Sequence, residues 1–267
     1  MWRNAADTID INCDAGESFG VYPMGDDERI FRYVSSVNIA CGFHAGDPIT
    51  IEKTVRMAAN LGLQIGAHPG FYDLRGFGRR ELNLPANEIR TDILYQLGAL
   101  DAFLRVRGLH LAHVKPHGAL YTIAARDEAV AIPLVEAVKA YDPSLVLVGL
   151  ARSAVHRVAE EQGIRFAREA FIDRQLHTDG SLVSRREPGA FVPEKELVPR
   201  TIRMIRKREV VSAEGILIPC ECDTLCLHSD TPRAGAFAKA LREALDAAHI
   251  GVGTYKSKDD GAQGNEA

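Results

Sequence analysis

The chain has 267 residues, of which 46% are hydrophobic and 25% are charged, a composition typical of a globular protein with one large or two small α/β domains. The formal net charge of −4 argues against nucleic acid or an anionic membrane as the main partner, and no stretch is apolar for long enough to span a bilayer. Five cysteines, an odd number, favour reduced thiols. We therefore expect a cytoplasmic protein that binds neither nucleic acid nor membrane.

Compact apolar runs alternate with helix-like segments along the whole chain. The predicted strands are Thr8–Asp14, Ser36–Cys41, Gln64–His68, Leu109–Lys115, Leu145–Gly149, Ile164–Ala170 and Thr224–His228. The clearest predicted helices are Pro48–Leu61, Asn87–Arg107 and Pro232–Ala248, and Asp127–Ala140 is also predicted as a helix despite Pro133 in its middle. Asp47 suits the N-cap of the first helix, and Pro48 suits its first position. Strict alternation predicts a parallel sheet, open or closed into a barrel, in a single domain over 1–255, followed by a disordered tail over 256–267.

The predicted strands alternate polar and apolar residues, whereas a parallel strand covered on both faces is normally a continuous apolar run. The polar face carries Asp10, Asn12, Asp14, Asn38, Gln64, His68, His113, Lys115, Glu169 and His228. Since the apolar faces must meet the helices, the polar faces should converge inside a barrel. Barrel enzymes place their active sites at the carboxyl ends of the strands. We therefore expect Asp14, Asn38, His68, Lys115 and His228 to surround one reaction cavity there.

One connection between predicted elements is unusually long. It runs from Phe171 to Val192 and contains Asp173, Arg174 and the pair Arg185-Arg186. Long connections of this kind are typically lids, binding loops or disordered segments. Because this one also contains Phe, Leu and Val, it is too apolar for disorder, and we expect a lid that carries positive charge over the barrel mouth.

Long motifs rich in glycine and titratable residues follow one another from residue 11 to residue 232. They are INCDAGESFG (11–20), NIACGFHAGDP (38–48), GAHPG (66–70), DLRGFGRR (73–80), VKPHGALY (114–121), EAFIDR (169–174), DGSLV (179–183) and HSDTP (228–232). Together they resemble the signature segments of the LamB/YcsF family, and the resemblance spans roughly Ile9 to Val252.

This resemblance implies an irregular seven-stranded (β/α) barrel of the kind shared by glycoside hydrolases and polysaccharide deacetylases. It also implies one subunit of the bacterial ATP-dependent 5-oxoprolinase, a hydrolase that opens the cyclic amide 5-oxoproline (pyroglutamate) to L-glutamate with companion subunits B and C. No stretch of the chain fits the phosphate-binding pattern G-x-x-x-x-G-K-[ST]. We therefore expect ATP to be a co-substrate that the companion subunits bind.

Residues at or just after the predicted strands are the candidate catalytic groups: Asp14, His44, His68, Lys115 and Glu169. Asp14 suits a general base or a metal ligand, and the two histidines suit proton transfer near neutral pH. A buried Lys115 requires a carboxylate or a substrate oxygen as its partner. The expected carboxylate is Asp14 or Glu169, and a purely structural ion pair is the alternative. For Glu17, a charge at the start of a helix is an equal alternative to a functional role.

A second group of polar residues is expected to bind the substrate: Asn12, Asn38, Arg79, His117, Asp173, Arg174, His228 and Asp230. The guanidinium of Arg79 suits a substrate carboxylate, with a solvated surface charge as the alternative. If a divalent metal binds, the candidate ligands are Asp14, His113 and His117. The four-residue spacing of these histidines is weak support, because Pro116 disfavours a helix there.

Three functions remain open at this level. The first is hydrolytic opening of 5-oxoproline within a multisubunit enzyme. The second is a metal-dependent hydrolase related to carbohydrate deacetylases, and stoichiometric bound metal would distinguish it from the first. The third is a non-catalytic accessory subunit that binds the lactam, which predicts little loss of activity when the inward polar residues are substituted.

Overall fold

Seven parallel strands close into a barrel within residues 8–227 and 234–255, the part of the chain that the structure, a computed structural model, describes. The barrel strands are β1 (Thr8–Ala15), β2 (Ser36–Ala40), β3 (Gln64–His68), β4 (His113–Val114), β5 (Val146–Leu150), β6 (Arg165–Phe171) and β7 (Thr224–Cys226). Each strand pairs with the next, and β7 closes the barrel by pairing with both β6 and β1. The seven predicted strands and the barrel are confirmed.

Helices follow the strands and cover the outside of the barrel. They are α1 (Asp27–Ile30), α2 (Pro48–Asn60), α3 (Ala86–Arg105), α4 (Gly118–Ala124), α5 (Glu128–Tyr141), α6 (Ala154–Glu161), α7 (Glu194–Lys207) and α8 (Ala234–Ala247). Helix α2 begins as predicted, since the Asp47 carboxylate accepts hydrogen bonds from the amides of Ile49 and Thr50, and Pro48 holds its first position. The predicted beginning of the last helix, at Pro232, lies outside the described residues.

The main hydrophobic core lies between the strands and the helices, and a smaller buried apolar cluster of Val146, Val148, Ala167 and Tyr255 is separate from it. Helices α3 and α5 pack against one another, and Leu97 and Leu100 of α3 belong with Leu134 and Val138 of α5 to one core cluster in which all four are fully buried. Burying a side chain of this size contributes about 1.5–3 kcal/mol. This outer core can therefore stabilise the fold while the barrel interior stays polar.

The short elements were not predicted from the sequence. An antiparallel hairpin joins Glu209–Val211 to Leu217–Pro219, and Gly251–Val252 extends the sheet beside the start of β1. Runs of two or three residues are too short to show a periodicity. Strand β4 is also shorter than predicted, because the amide of Leu109 bonds to the carbonyl of Leu104 and completes the end of α3.

The long connection after β6 folds back on itself at the carboxyl end of the barrel. Arg174 bridges to Phe191, and Leu176 bridges to Leu182, both in antiparallel fashion. No helix in the described ranges is long and apolar enough to cross a membrane. The single domain over 1–255 and the disordered tail over 256–267 stay predictions.

Candidate active site

The amino-terminal half of the barrel interior is a hydrogen-bond network around Asp10. Its carboxylate accepts hydrogen bonds from the hydroxyls of Ser35 at 2.7 Å, Ser36 at 2.9 Å, and Thr224. Burial, which these hydroxyls only partly offset, raises the pKa of Asp10 to about 6. We call Asp10, Ser36, His113 and Thr224 the lower layer; all four are almost completely buried.

Two asparagines connect this layer to the residues above it. Asn38 Nδ2 donates to Asn12 Oδ1 at 2.8 Å and to Asp14 Oδ1 at 2.9 Å, while Asn38 Oδ1 lies 2.7 Å from His113 Nε2. Asn12 Nδ2 donates to Glu169 Oε1 at 3.1 Å. Among the described residues that line the cavity above, neither asparagine appears. The structure thus places both, expected as substrate-binding residues, where they position Asp14 and Glu169 instead.

Lys115 is a buried cation between two carboxylates. Its Nζ lies 2.9 Å from Asp14 Oδ1 and 2.8 Å from Glu169 Oε1, and it also donates to Asn12 Oδ1 and Cys226 Sγ, each at 3.1 Å. Burial opposes the charged form, but the carboxylates, Asp14 foremost, outweigh burial and raise the pKa of Lys115 well above its ordinary value. Both carboxylates that the sequence offered as alternatives are therefore partners of Lys115.

Two imidazoles above this ion pair each turn one ring nitrogen toward the other. A carbonyl oxygen can only accept, so His68 Nδ1 donates to Lys115 O at 2.7 Å, and His117 Nε2 donates to Phe77 O at 2.9 Å. The remaining nitrogens, His68 Nε2 and His117 Nδ1, are 3.0 Å apart. His68 Nε2 also lies 3.3 Å from Asp14 Oδ2. The acceptor atoms of three side chains therefore converge on one point.

Glu17 and His44 complete this group. Glu17 Oε1 lies 3.2 Å from His44 Nε2 and 3.4 Å from His117 Nδ1, and the His44 and His117 rings stack 3.7 Å apart. Burial, with the neighbouring imidazoles, lowers the pKa of both His44 and His117 well below the ordinary value, so both rings are neutral. Glu17 lies well before α1, so a helix-start role does not apply. Glu17, His44, His68 and His117 offer potential ligand atoms that all lie within 4.8 Å of one another.

Glycines let the backbone approach these rings closely. Gly78 has φ +62°, and a Cβ there would lie 2.7 Å from the Cβ of His44 and 2.8 Å from His117 Cδ2. A Cβ at Gly70 would lie 2.8 Å from His44 Nδ1, and Gln96 holds the backbone of Gly70 through hydrogen bonds of 2.9 Å to its amide and its carbonyl. The imidazoles are therefore packed against backbone that leaves them little freedom to rotate.

A cavity of about 850 Å³ opens at the carboxyl end of the barrel above these groups. We call the residues of the network that line it the upper layer: Asp14, Glu17, His68, Lys115 and His117. Arginines also line its walls: Arg79, Arg80, Arg126, Arg174, Arg185 and Arg186. Residues 182–186 of the long connection form part of this wall, and the lid itself stays a prediction. The volume suits a small substrate.

Arg174 is held inside the long connection. Its side chain is buried and donates a hydrogen bond to the carbonyl of Val183, and burial lowers its pKa to about 10. Asp173 beside it is buried too, and within the described residues it is not part of the cavity wall. His228 and Asp230, the other expected substrate-binding residues, lie outside the described residues.

The metal-ligand set expected from the sequence, Asp14, His113 and His117, is not assembled. His113 lies in the lower layer, where its Nε2 faces Asn38 Oδ1 and where burial and the charge of Lys115 lower its pKa to about 3. Between the two histidines the chain is extended rather than helical, and each residue of extended chain advances the backbone by about 3.3 Å. His117 therefore joins Glu17, His44 and His68 instead.

Two residues of the site were not singled out from the sequence. Glu17 was left undecided because a lone carboxylate in a loop carries little information. Tyr121 lines the cavity, and burial, followed by the charge of Glu169, raises its pKa well above the ordinary value. Its position four residues after His117, one turn along α4, is the signal that could have found it.

A closed parallel barrel that brings a fixed carboxylate, a buried lysine and neutral imidazoles to a cavity at the carboxyl ends of its strands is the architecture of a (β/α)-barrel enzyme. The profile of the LamB/YcsF family matches residues 9–259, and the chain belongs to this family.

Similar proteins agree with that assignment. The A subunit of the 5-oxoprolinase of Geobacillus kaustophilus is 50% identical over 246 residues, which cover 92% of this chain and 96% of the relative. The corresponding A subunit of Thermococcus sibiricus is 47% identical over 239 residues, 89% of this chain and 94% of the relative. The solved lactam utilization protein of Thermus thermophilus superposes with a TM-score of 0.88 at 45% identity, covering 93% of this chain and all of its own. The family resemblance and the predicted barrel are confirmed.

Proposed function

We propose that this chain is the hydrolytic subunit of an ATP-dependent 5-oxoprolinase and that it opens the lactam ring of 5-oxoproline to give L-glutamate. Relatives named as the A subunit of 5-oxoprolinase match nearly the whole chain, and a solved relative is described as a lactam utilization protein. The observation that carries the proposal is the carboxylate of Asp14. Lys115 and Asn38 hold its Oδ1, while Asp14 lies at the cavity floor.

Opening a lactam with water requires a base for the water and a proton for the ring nitrogen. In our proposal the water gives a proton to Asp14 as its oxygen bonds to the carbonyl carbon. The C–N bond then breaks, and the nitrogen gains a proton. Asp14, once protonated, is the group that returns the proton to the nitrogen, and His68 Nε2, 3.3 Å from Asp14 Oδ2, orients the carboxylate between the two sites.

The other catalytic candidates act on Asp14 or on neighbouring side chains rather than on the substrate. The positive charge of Lys115 favours the ionised form of Asp14, which is the form that accepts a proton. Glu169, fully buried against Lys115, keeps that lysine in place. His44 acts at a distance, through its contact with Glu17 and its stack on His117.

The substrate carboxylate needs a cation at the cavity wall, and Arg79 is our candidate. Its guanidinium lies 4.9 Å from the centre of the Phe77 ring, and the side chain lines the cavity. A guanidinium fork suits a carboxylate, and stacking on an aromatic ring limits the motion of the fork. Arg174, from the other wall, is the second candidate.

ATP would act through companion subunits B and C. The five-membered lactam is an unstrained amide. Transfer of the terminal phosphoryl group of ATP to its carbonyl oxygen, with ADP as the leaving group, would make the carbonyl carbon a better electrophile, and phosphate would leave as the ring opens. The sequence contains no P-loop pattern. We therefore assign the nucleotide site to the companions and the ring opening to this chain. The five cysteines are free thiols, which supports our assignment to the cytoplasm.

Reconstitution tests this proposal. Glutamate formation from 5-oxoproline and ATP is measured with this chain alone, with the companions alone and with the complete mixture. We expect turnover only in the complete mixture, and we expect replacement of this chain by its Asp14→Asn variant to remove most of it. Robust ATP-dependent turnover by the isolated chain would contradict the division of labour, and no turnover in the complete mixture would contradict the substrate.

A further inference from the structure

The roles proposed above leave the convergence of acceptor atoms beside Asp14 unexplained. We propose that Glu17, His68 and His117 form a binding site for one divalent first-row transition metal ion, with Zn²⁺ as the representative ion. This site goes beyond the proposed function, since no step described there uses a metal. Its existence can be tested without any substrate.

The lone pairs of His68 and His117 point toward one another. His68 and His117 each donate their other ring N–H to a backbone carbonyl, Lys115 O at 2.7 Å and Phe77 O at 2.9 Å. In their neutral forms, the facing nitrogens 3.0 Å apart are therefore both acceptors. Two lone pairs facing each other repel, and Glu17 Oε1 at 3.4 Å from His117 Nδ1 adds a negative charge. A cation at the centre converts this repulsion into attraction.

The distances between the candidate ligand atoms suit a single bound ion. Two ligand atoms that each lie about 2.1 Å from one ion are about 3.0–3.4 Å apart when the angle between them is about 90–110°. The His68 Nε2–His117 Nδ1 distance is 3.0 Å, and the His117 Nδ1–Glu17 Oε1 distance is 3.4 Å. Two of the three pairs of ligand atoms therefore already have the separation that one ion requires.

Hydrogen bonds to neighbouring groups hold the candidate ligand side chains in place. Metal-ligating histidines typically donate their second N–H to a backbone carbonyl or a carboxylate, which fixes the tautomer and the ring. Both histidines here do so. His44 has a different role: among the described residues its Nδ1 has no hydrogen-bond partner, so we assign the proton to Nε2, which donates to Glu17 Oε1 at 3.2 Å. His44 then orients Glu17 without binding the ion.

The donor set indicates the class of metal. Two neutral imidazoles and one carboxylate favour zinc, iron, cobalt or nickel, whereas magnesium and calcium prefer oxygen ligands. Since all three ligands line the cavity floor next to Asp14, an ion there would retain open coordination positions toward the cavity. Water or a substrate oxygen could occupy them.

Metal binding to the full chain tests the inference directly. The purified protein is stripped with a chelator, dialysed and titrated with Zn²⁺ by calorimetry, and Co²⁺ is then added to record its visible absorption. We expect one Zn²⁺ per chain and a Co²⁺ spectrum typical of nitrogen and oxygen ligands. Absence of saturable Zn²⁺ binding by the wild-type protein would overturn the site.

Variants identify the ligands. Glu17→Gln and His117→Ala should each weaken Zn²⁺ binding by at least ~100-fold, whereas His44→Phe should weaken it by ~10–100-fold, the range for a residue that orients a ligand. Matched controls are Glu81→Gln, a carboxylate on the cavity wall outside the group, and the exposed His110→Ala. Both controls should bind like wild type.

Circular dichroism and thermal midpoints show whether each variant is folded, and Glu17→Gln keeps the side-chain volume in case His117→Ala does not fold. Unchanged affinity in either Glu17→Gln or a folded His117→Ala would overturn the ligand set. Failure of the 5-oxoproline assay would leave these results intact, so the two proposals fail separately.

Discussion

The lower and the upper layer of the barrel interior both consist of buried residues but differ in how their polar atoms are paired. In the lower layer, hydroxyl donors surround the single carboxylate of Asp10. In the upper layer, the carboxylates of Asp14 and Glu17 contact ring nitrogens of His68 and His117, and Lys115 supplies the positive charge. Similar burial therefore yields a hydrogen-bonded core in one place and a reactive group in the other.

This difference teaches that burial alone does not identify a catalytic residue. A buried polar group whose partners complement it stabilises one structure, whereas a group whose partners repel it is held in place by the rest of the fold. The position along the strands decides which case applies. The lower layer is closed by the barrel, and the upper layer borders the cavity at the carboxyl ends.

The largest expected effect comes from the upper layer. Asp14→Asn should lower turnover in the complete enzyme by roughly 10²–10⁴-fold, the range for a general base. The fold should tolerate it, because the amide oxygen can accept from Lys115 and Asn38 while the NH₂ group faces His68 Nε2. Steady-state kinetics and a thermal melt check both parts. A variant that simply unfolds would place Asp14 among the structural groups.

Removing the cation between the carboxylates should affect stability most. Lys115→Met leaves Asp14 and Glu169 buried without their shared partner, and loss of one member of a buried pair costs about 3–5 kcal/mol. Urea denaturation measures the free energy of unfolding, and the exposed Lys139→Met serves as the control. If the free energy of unfolding falls by less than about 1 kcal/mol, water or a proton must compensate the two carboxylates for the missing cation.

Ionisation of Asp10 in the lower layer should make the free energy of unfolding depend on pH. Because the folded-state pKa of Asp10 is about 6, above the ordinary value of 3.8, the folded protein binds this proton more tightly than the unfolded chain. The contribution of Asp10 to the free energy of unfolding is therefore largest below about pH 4. It falls by about 2–3 kcal/mol as the pH rises through about 6.

Asp10→Asn isolates this contribution, since Asp27, whose pKa burial also raises to about 6, is present in both proteins. Free energies of unfolding between pH 4 and 7 should fall in the wild type relative to the variant. If the two curves run parallel, the carboxyl of Asp10 is not the group that titrates.

The smallest expected effect is at the cavity wall. Arg79→Ala should raise the KM for 5-oxoproline by ~5-fold with little change in kcat, because an exposed guanidinium contributes about 1 kcal/mol to binding a carboxylate. The exposed Arg107→Ala is the matched control. An unchanged KM would move the carboxylate site to Arg174.

The sequence predicted the barrel well because its signal is repeated. The alternation of Asp10, Asn12 and Asp14 with apolar neighbours identified the inward face of β1, and the structure confirms that these side chains are buried. Periodicity also located the long helices. It carried no information on the hairpin at Glu209–Val211, which is too short to show a pattern.

The site was predicted less completely, because its details depend on contacts between distant segments. The choice between Asp14 and Glu169 as the partner of Lys115 could not be made from spacing, and both carboxylates turned out to contact it. His113 and His117 look alike in the sequence, yet one lies in each layer. Pairing across the barrel, rather than spacing along the chain, decides these roles.

The central claim is that the upper layer performs the chemistry while the lower layer supports the fold. Glutamate formation from 5-oxoproline and ATP, measured at pH 8 in the reconstituted enzyme with folded Asp14→Asn and folded Asp10→Asn in parallel, tests it most directly. Our account predicts that Asp10→Asn retains turnover within ~3-fold of wild type while Asp14→Asn loses at least ~100-fold. Equal losses in the two variants would contradict the division of the barrel interior into a structural and a catalytic layer.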